Sequence, residues 1–367
     1  MSAENSSKVI LTLDAGGTNF VFSAIKANKQ IVESISLLSE AHNLNKCIAN
    51  IITGFEMVIA QLDENPTAIS FAFPGPADYD NGIIGNLPNF EAFNDNVPLG
   101  PMLEEKFKIP VFINNDGNLF AYGEALSGYL PWLNEKIREK GGIKQYKNLI
   151  GLTLGTGFGG GLVINSSMLV GDSSCGAEVH NTLNKFNIDW NAEESVSTRA
   201  IQRVYAIEAG LLFSNEIMPH DIADIALGKK KGNKDAAIIA FKIFGEALGS
   251  SIANILTLID GIVVLGGGIT AAWDLFSKDM FYEINRNYTH FEGQKTERLS
   301  FKVFDLEDVD TFKTFALGDV KKVKTFSGKE YEFDTLARTG VGISKLGAST
   351  AIWLGAYNYG LQQLAEM

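Results

Sequence analysis

Short apolar runs and glycine turns alternate from the start of the chain. Val9-Ile10-Leu11-Thr12-Leu13 is aliphatic and β-branched, and it runs into Asp14-Ala15-Gly16-Gly17-Thr18-Asn19; residues 20–25 and 30–36 then resume strand-like patterning. The pattern predicts an antiparallel meander that opens at a glycine hairpin. Residues 45–62 carry Ile48, Ile51, Ile52, Phe55, Val58, Ile59 and Leu62 at helical spacing, and residues 68–73 read as a buried strand. Pro74-Gly75-Pro76 and Asn86-Leu87-Pro88-Asn89 punctuate the loop that follows. Residues 98–107 predict a short helix, and Val111-Phe112-Ile113 a strand ending at Asn114-Asn115-Asp116. A first domain, 1–117, is expected to close there.

The opening unit then recurs. After a helical stretch at 118–127 and a mixed amphipathic insertion at 128–147, residues 149–154 form a strand before Gly155-Thr156-Gly157-Phe158-Gly159-Gly160-Gly161, and Leu162-Val163-Ile164 reads as its partner. Leu-Thr-Leu precedes the turn in both places, at Leu11-Thr12-Leu13 and Leu152-Thr153-Leu154. A repeated strand, glycine hairpin and strand is what a duplicated pair of domains leaves behind. Helical patterns return at 197–211 and 235–259, and Ile262-Val263-Val264-Leu265 runs into Gly266-Gly267-Gly268. The second domain is expected over 118–344, with a charged, hairpin-bearing insertion at 281–339. A last apolar helix, within 345–367, is expected to pack on the first domain.

Composition narrows the partners. The 367 residues are 46% hydrophobic and 20% charged, enough apolar material for buried cores and unlike a disordered or fibrous chain. Thirty-one Lys and Arg against 43 Asp and Glu give a net charge of −12, and the longest basic block is Lys229-Lys230-Lys231. Phosphate-backbone and anionic-lipid binding need clustered cations, so nucleic acid and membrane are excluded as partners. A nucleotide remains possible, because backbone N–H groups hold phosphates without net positive charge. The two cysteines, Cys47 and Cys175, are too few for a disulfide scaffold or a four-thiolate metal site. With no signal-peptide pattern and no unbroken run of eighteen apolar residues, a soluble cytoplasmic protein is expected.

Three glycine turns each follow an apolar strand, removing side chains where backbone donors could approach a ligand. One such turn is ordinarily a tight hairpin; three, one of them carrying an aspartate and a threonine, point to phosphate chemistry. Gly155-Thr156-Gly157-Phe158-Gly159-Gly160 also fits a dinucleotide fingerprint, but that motif must open a helix, and Leu162-Val163-Ile164 is strand-like. No G-x-x-x-x-G-K-[ST] loop is present either, so a nicotinamide oxidoreductase and a P-loop kinase are set aside.

In order and spacing, Asp14-Ala15-Gly16-Gly17-Thr18, Pro74-Gly75-Pro76, Asn86-Leu87-Pro88, Asn115-Asp116, Leu154 to Gly161 and Leu265-Gly266-Gly267-Gly268 resemble the ROK sugar kinases of the actin/hexokinase/Hsp70 superfamily. The resemblance covers most of residues 8–270 and the last helix. It implies an α/β protein of two ribonuclease-H-like, actin-like ATPase domains facing a cleft, binding ATP, Mg²⁺ and a sugar, and assembling as a homodimer. Some members are repressors with an N-terminal winged helix; with a first strand at Val9, none is expected here. Asp116 is implied as the base that takes the hydroxyl proton, a role to be weighed against that of a helix-capping aspartate. Asn115 is expected to meet sugar hydroxyls through both atoms of its amide. Gly75, Asn86, Glu178, Asn181 and Glu193 complete the implied sugar site. Asp14 is implied to hold Mg²⁺ through water, with Gly16, Gly17, Thr18, Gly155, Thr156 and Gly157 around the phosphates and Gly266, Gly267 and Gly268 on the adenosine side. Asn19 follows the threonine where the family often has a basic residue.

The chain departs from the family on the sugar side. Its segment reads Cys175-Gly176-Ala177-Glu178-Val179-His180-Asn181, so His180 stands one position early and Asn181 occupies the family histidine's place. The family's zinc-binding cysteines have no counterpart in residues 187–192, so no structural zinc is expected, and Trp190 is expected to help fill that space. Glucose is the first-choice substrate; N-acetylglucosamine, N-acetylmannosamine or fructose is the alternative, and a sugar sensor without catalysis the alternative of another class.

Overall fold

A computed structural model describes residues 3–75, 77–85, 87 and 91–367. Pro76, Asn86, Pro88 and Asn89, named above, lie outside the described residues.

β1 (Ile10–Ala15) and β2 (Asn19–Lys26) pair antiparallel around the glycine turn, Ile10 opposite Ile25 and Ala15 opposite Phe20. The expected strand at 30–36 is instead two short pieces on β2, β3 (Lys29–Gln30) and β4 (Ile35–Leu38). Asn43 caps α1 (Leu44–Ile59) by accepting the Lys46 N–H, and the helix buries Cys47, Ile51, Phe55 and Val58. Phe55 meets Phe22 of β2 edge-on, with ring centres 5.1 Å apart. β5 (Ala68–Ala72), buried at every residue, lies parallel to β1. A small hairpin, β6 (Ala77–Asp78) and β7 (Ile83–Ile84), and α2 (Leu99–Phe107) lead to β8 (Val111–Asn114), parallel to β5, and to α3 (Asp116–Leu126). The first sheet runs β3-β2-β1-β5-β8.

Then come α4 (Tyr129–Glu139), β9 (Leu149–Leu154), β10 (Phe158–Ile164), β11 (Ser167–Met168), α5 (Thr198–Ala209), α6 (Pro219–Ala226), α7 (Lys234–Leu258) and β12 (Ile262–Gly266). The remaining elements are α8 (Trp273–Ile284), β13 (Asn287–Thr289), β14 (Lys295–Glu297), β15 (Lys302–Asp305), α9 (Val309–Leu317), β16 (Val320–Lys324), β17 (Glu330–Asp334), β18 (Arg338–Ile343) and α10 (Ala348–Glu366). The second sheet has β10, β9, β12, β18 and β15 in that order. Within 281–339, then, only the hairpins β13–β14 and β16–β17 stand apart. β15 and β18 are strands of the main sheet, pairing parallel with each other and, through β18, with β12. Their apolar cores are only a few residues long between charged flanks, which hides them in the sequence pattern. α6, α8 and α9 also emerge without having been expected.

The chain divides into two compact units, Met1–Gly128 with Gly161–Ala177 and Leu346–Met367, and Tyr129–Gly160 with Glu178–Lys345. α10 therefore belongs to the unit built on the first sheet, where it packs on α3, β1 and β5. Two glycines permit this approach: a Cβ on Gly123 would lie 1.9 Å from the Ala351 carbonyl oxygen, and one on Gly355 1.9 Å from that of Leu119. In the second unit, α7 is long and apolar enough to cross a membrane, yet 67% of its most apolar window is buried, and it packs on α5, α6 and α8. It is a core helix.

Candidate active site

In the first unit, three parallel strands end together. Asp14 on β1 and Asn114 on β8 are both level with Ala72 of β5, which puts their backbones two strand spacings apart, about 10 Å. The Gly16-Gly17-Thr18 turn after Asp14 is exposed and tied back by Ser39, whose hydroxyl donates to Gly17 O (2.6 Å) and whose N–H donates to Thr18 O (2.9 Å). Asn19, where β2 begins, is exposed as well. At the end of β8, the buried Asn114 Oδ1 accepts the Asn115 N–H at 2.8 Å and Asn118 Nδ2 at 3.1 Å, fixing the bend into α3.

The residue that caps α3 is Asn115. Its Oδ1 accepts the Gly117 N–H at 2.8 Å, and Asp116, the first helical residue, accepts the same N–H at 2.8 Å. Asn115 Oδ1 thus already accepts one N–H, which leaves it a second lone pair, with both Nδ2 hydrogens, for a ligand. Asn at this position is a preferred N-cap, because the side-chain oxygen serves an amide that has no partner in the first turn.

Asp116 is open to solvent but hemmed in by protein, and this desolvation raises its carboxyl above the usual range against the opposing Gly117 hydrogen bond. Half-buried Asp14 is raised too, first by burial and then by the charge of Asp116, while a hydrogen bond with Ser349 of α10 pulls the other way. The Asp14 and Asp116 carboxylates, the first raised in part by the charge of the second, are an all-oxygen donor set suited to a hard divalent cation. Among the described residues no three His, Cys, Asp or Glu side chains cluster as ligands, so such an ion would complete its shell with water or substrate oxygens. Gly75, in the loop after β5, lies against the Tyr79 hydroxyl, which donates to Phe73 O at 3.0 Å. A polar cavity of about 690 Å³ in the same unit is lined by Asp78, Asp80, Asn96 and Asp172, among others. Asp14, Asn115 and Asp116 are not among its walls, so volume alone does not mark the chemistry.

In the second unit, β9 and β12 are parallel neighbours with Gly266 opposite Thr153. The two glycine turns, Gly155-Thr156-Gly157 and Gly266-Gly267-Gly268, thus emerge side by side at the carboxyl edge of one sheet, where open α/β sheets hold ligands. Gly267 has φ +94°, and a Cβ there would sit 2.2 Å from Leu154 O. The 155–157 turn is docked at both ends: Gly155 O accepts the Thr198 N–H at 2.8 Å, and the Phe158 N–H donates to Glu193 Oε2 at 3.0 Å. Glu178 pairs with His180 (Oε2 to Nδ1, 3.0 Å), and the Asn181 N–H closes its 3-10 turn onto Glu178 O at 3.1 Å, with the Asn181 residue exposed.

The segment leading to Glu193 is held by side chains. Buried Asn184 donates to Asn191 O (2.9 Å) and Ser195 Oγ (2.8 Å) and accepts from the Phe186 and Asn187 N–H groups. Arg203 lies over the Trp190 ring, 4.5 Å from its centre, and reaches Glu194 Oε2 at 2.8 Å; Lys185 pairs with Glu283 at 2.7 Å. Sequence reasoning missed Ser349 and Ser39, which touch Asp14 and the first turn. Serines placed by tertiary packing carry no local motif.

The model of the ROK family matches residues 10–303, most of the chain. The chain belongs to the ROK family. A crystal structure of a glucokinase from Parabacteroides distasonis superposes with a TM-score of 0.88 at 46% identity, covering 99% of both chains. A Thermotoga maritima glucokinase is 25% identical over 281 residues, 72% of this chain and 84% of that one. An N-acetyl-D-glucosamine kinase from Histophilus somni is 28% identical over 277 residues, 70% of this chain and 83% of that one. The ROK chain described here accordingly has the actin-like ATPase fold and is a sugar kinase.

Proposed function

We propose that this sugar kinase transfers the γ-phosphoryl group of ATP to a hydroxyl of a hexose, glucose foremost, with Asp116 as general base. The observation that carries the reading is the Asp116 carboxyl, solvent-accessible at the first turn of α3, with its proton affinity raised by its surroundings. A base works best when its pKa moves toward the working pH. The hydroxyl oxygen attacks the γ-phosphorus as Asp116 takes its proton, and the bond to the ADP oxygen breaks in line. In the first unit, the Asn115 amide and Gly75 are assigned to orienting the sugar and the Gly16-Gly17-Thr18 turn, continuing into Asn19, to the phosphates. In the second, Glu178, Asn181 and Glu193 are assigned to hydroxyls, Gly155, Thr156 and Gly157 to phosphates, and Gly266, Gly267 and Gly268 to the adenosine side. Mg²⁺, held by Asp14 through water, would neutralise developing phosphate charge when bound.

Glucose is favoured over N-acetylglucosamine because the likeness to the P. distasonis glucokinase is far closer and spans the whole chain. Retention of the Asp14 and Asp116 pair argues against a sensor, which needs no base. Coupled ADP release across glucose, N-acetylglucosamine, N-acetylmannosamine and fructose tests the proposal. The highest kcat/KM is expected for glucose; a higher value for an N-acetylated sugar replaces the substrate, and no sugar-dependent release at all replaces the function.

A further inference from the structure

Glu193 faces two ways. Its Oε2 accepts the Phe158 N–H at 3.0 Å, at the end of the 155–157 turn, and lies so close to that turn that a Cβ on Gly157 would meet it at 2.6 Å. Its Oε1 lies 3.9 Å from Arg199 Nη2. The carboxylate itself sits on a 3-10 turn, Ala192–Glu194, that Asn191 caps through its side chain. Next along the chain, the Thr198 N–H at the start of α5 holds the opposite end of the glycine turn through Gly155 O at 2.8 Å. The stretch 192–198 thus grips residues 155–158 from both ends, one hold made by the Glu193 side chain and the other by the Thr198 backbone.

We propose that Glu193 is a positioning residue that ties the sugar-reading segment to the phosphate-facing turn: Oε2 holds the Phe158 amide and with it the shape of Gly155-Thr156-Gly157, leaving Oε1 for a sugar hydroxyl. The inference rests on the phosphate and sugar assignments above and adds a connection between them inside one unit. A turn that offers backbone donors to phosphate works only while those donors stay aimed. A hydrogen bond to a charged acceptor is among the stronger ways to fix one. A sugar that orders Glu193 therefore also orders the turn, and nucleotide gains from it reciprocally.

Titration calorimetry with the non-hydrolysable analogue AMP-PNP, in Mg²⁺ buffer without sugar, isolates this role from sugar recognition. Glu193→Ala is expected to bind the analogue about tenfold more weakly than wild type, while Glu193→Gln, whose amide oxygen can still accept the Phe158 N–H, stays within about twofold. Both should lose glucose affinity, so the Gln variant separates the two jobs in its KM values for sugar and for ATP. Gly157→Ala gives an independent arm, because its new Cβ would push on the Glu193 carboxylate alone. It should weaken AMP-PNP binding in the wild-type background and add nothing in Glu193→Ala. Thermal melts confirm that each variant is folded. Unchanged or tighter AMP-PNP binding by Glu193→Ala, or additive Gly157 and Glu193 effects, overturns the proposal. Wild type that fails to bind AMP-PNP with or without glucose overturns the nucleotide assignment itself, and this inference with it.

Discussion

Replacing Asp116 by Asn removes one proton acceptor and little else. The Asp116 Oδ1 accepts the Gly117 N–H at 2.8 Å, and an amide oxygen can do the same; Asn115 already caps that N–H, so the first turn of α3 keeps its partners. On the proposed role, what is lost is general-base assistance, worth about 10² to 10⁴ in rate. At about 1.4 kcal/mol per decade that is roughly 3 to 5.5 kcal/mol of barrier, with glucose KM nearly unchanged. The wild-type pH–rate profile should have an acidic limb at the raised Asp116 pKa, where the base becomes protonated, and the variant should lack that limb. Stability runs the other way. Asp116 holds a proton more tightly in the folded chain than in the unfolded one, so its stabilising effect is fully present below the unfolded carboxylate pKa and is lost as pH rises through the higher folded value. Asp116→Asn has no such loss. It also gives up a favourable charge at a helix N-terminus, worth about 0.3–1 kcal/mol, and with the carboxyl open to solvent the net change near neutral pH should be within about 1 kcal/mol. ADP release over pH 5–9 and urea melts at both ends of that range provide the readout. Turnover within threefold of wild type, or an acidic limb that survives the substitution, removes Asp116 from the chemistry and leaves it a helix-terminal residue.

Three further outcomes are expected. Gly355→Ala places a Cβ 1.9 Å from Leu119 O, about 1.5 Å inside ordinary contact with an atom of helix backbone, so α3 and α10 must separate. A loss of about 1–3 kcal/mol in urea melts, with a fall in kcat because α3 carries Asp116, is expected, and a change under 0.5 kcal/mol would contradict the packing described. Chelator treatment should leave the melting temperature unchanged, since hydrogen bonds and ion pairs hold residues 184–203, whereas Asn184→Ala should cost about 1–3 kcal/mol; one tightly held zinc per chain by metal analysis would refute this.

What could be read from residue order alone was whatever is encoded locally. The run 9–13 into Asp14 and the glycine turn fold as the pattern predicts, as do β8 into Asn115-Asp116 and β9 into the Gly155 turn. Each couples a strand signal to a breaker within ten residues. Asn115 as cap was legible in principle, since Asn is a preferred N-cap, and its second lone pair leaves a sugar contact open beside that role. β15 and β18 were hidden because a parallel strand earns its place from neighbours far along the chain, and Val303, Phe304 and Val341 are too few to announce burial. Ser349 beside Asp14 and Glu193 on the Phe158 amide are meetings of segments remote in sequence, which no periodicity encodes.

The return of α10 to the first sheet has a consequence for how the protein is made. The ribosome delivers β1, β5, β8 and α3 early, then the whole of 178–345, before the helix that covers those strands and supplies Ser349 to Asp14 leaves the exit tunnel. The carboxylate pair therefore spends most of synthesis without its final surroundings, and the second unit can complete its sheet first. Nascent chains halted before residue 346 should protect β9 and β12 from proteolysis while β1 and β5 stay open to it, so Asp14 meets its α10 neighbour only after the second unit has been delivered.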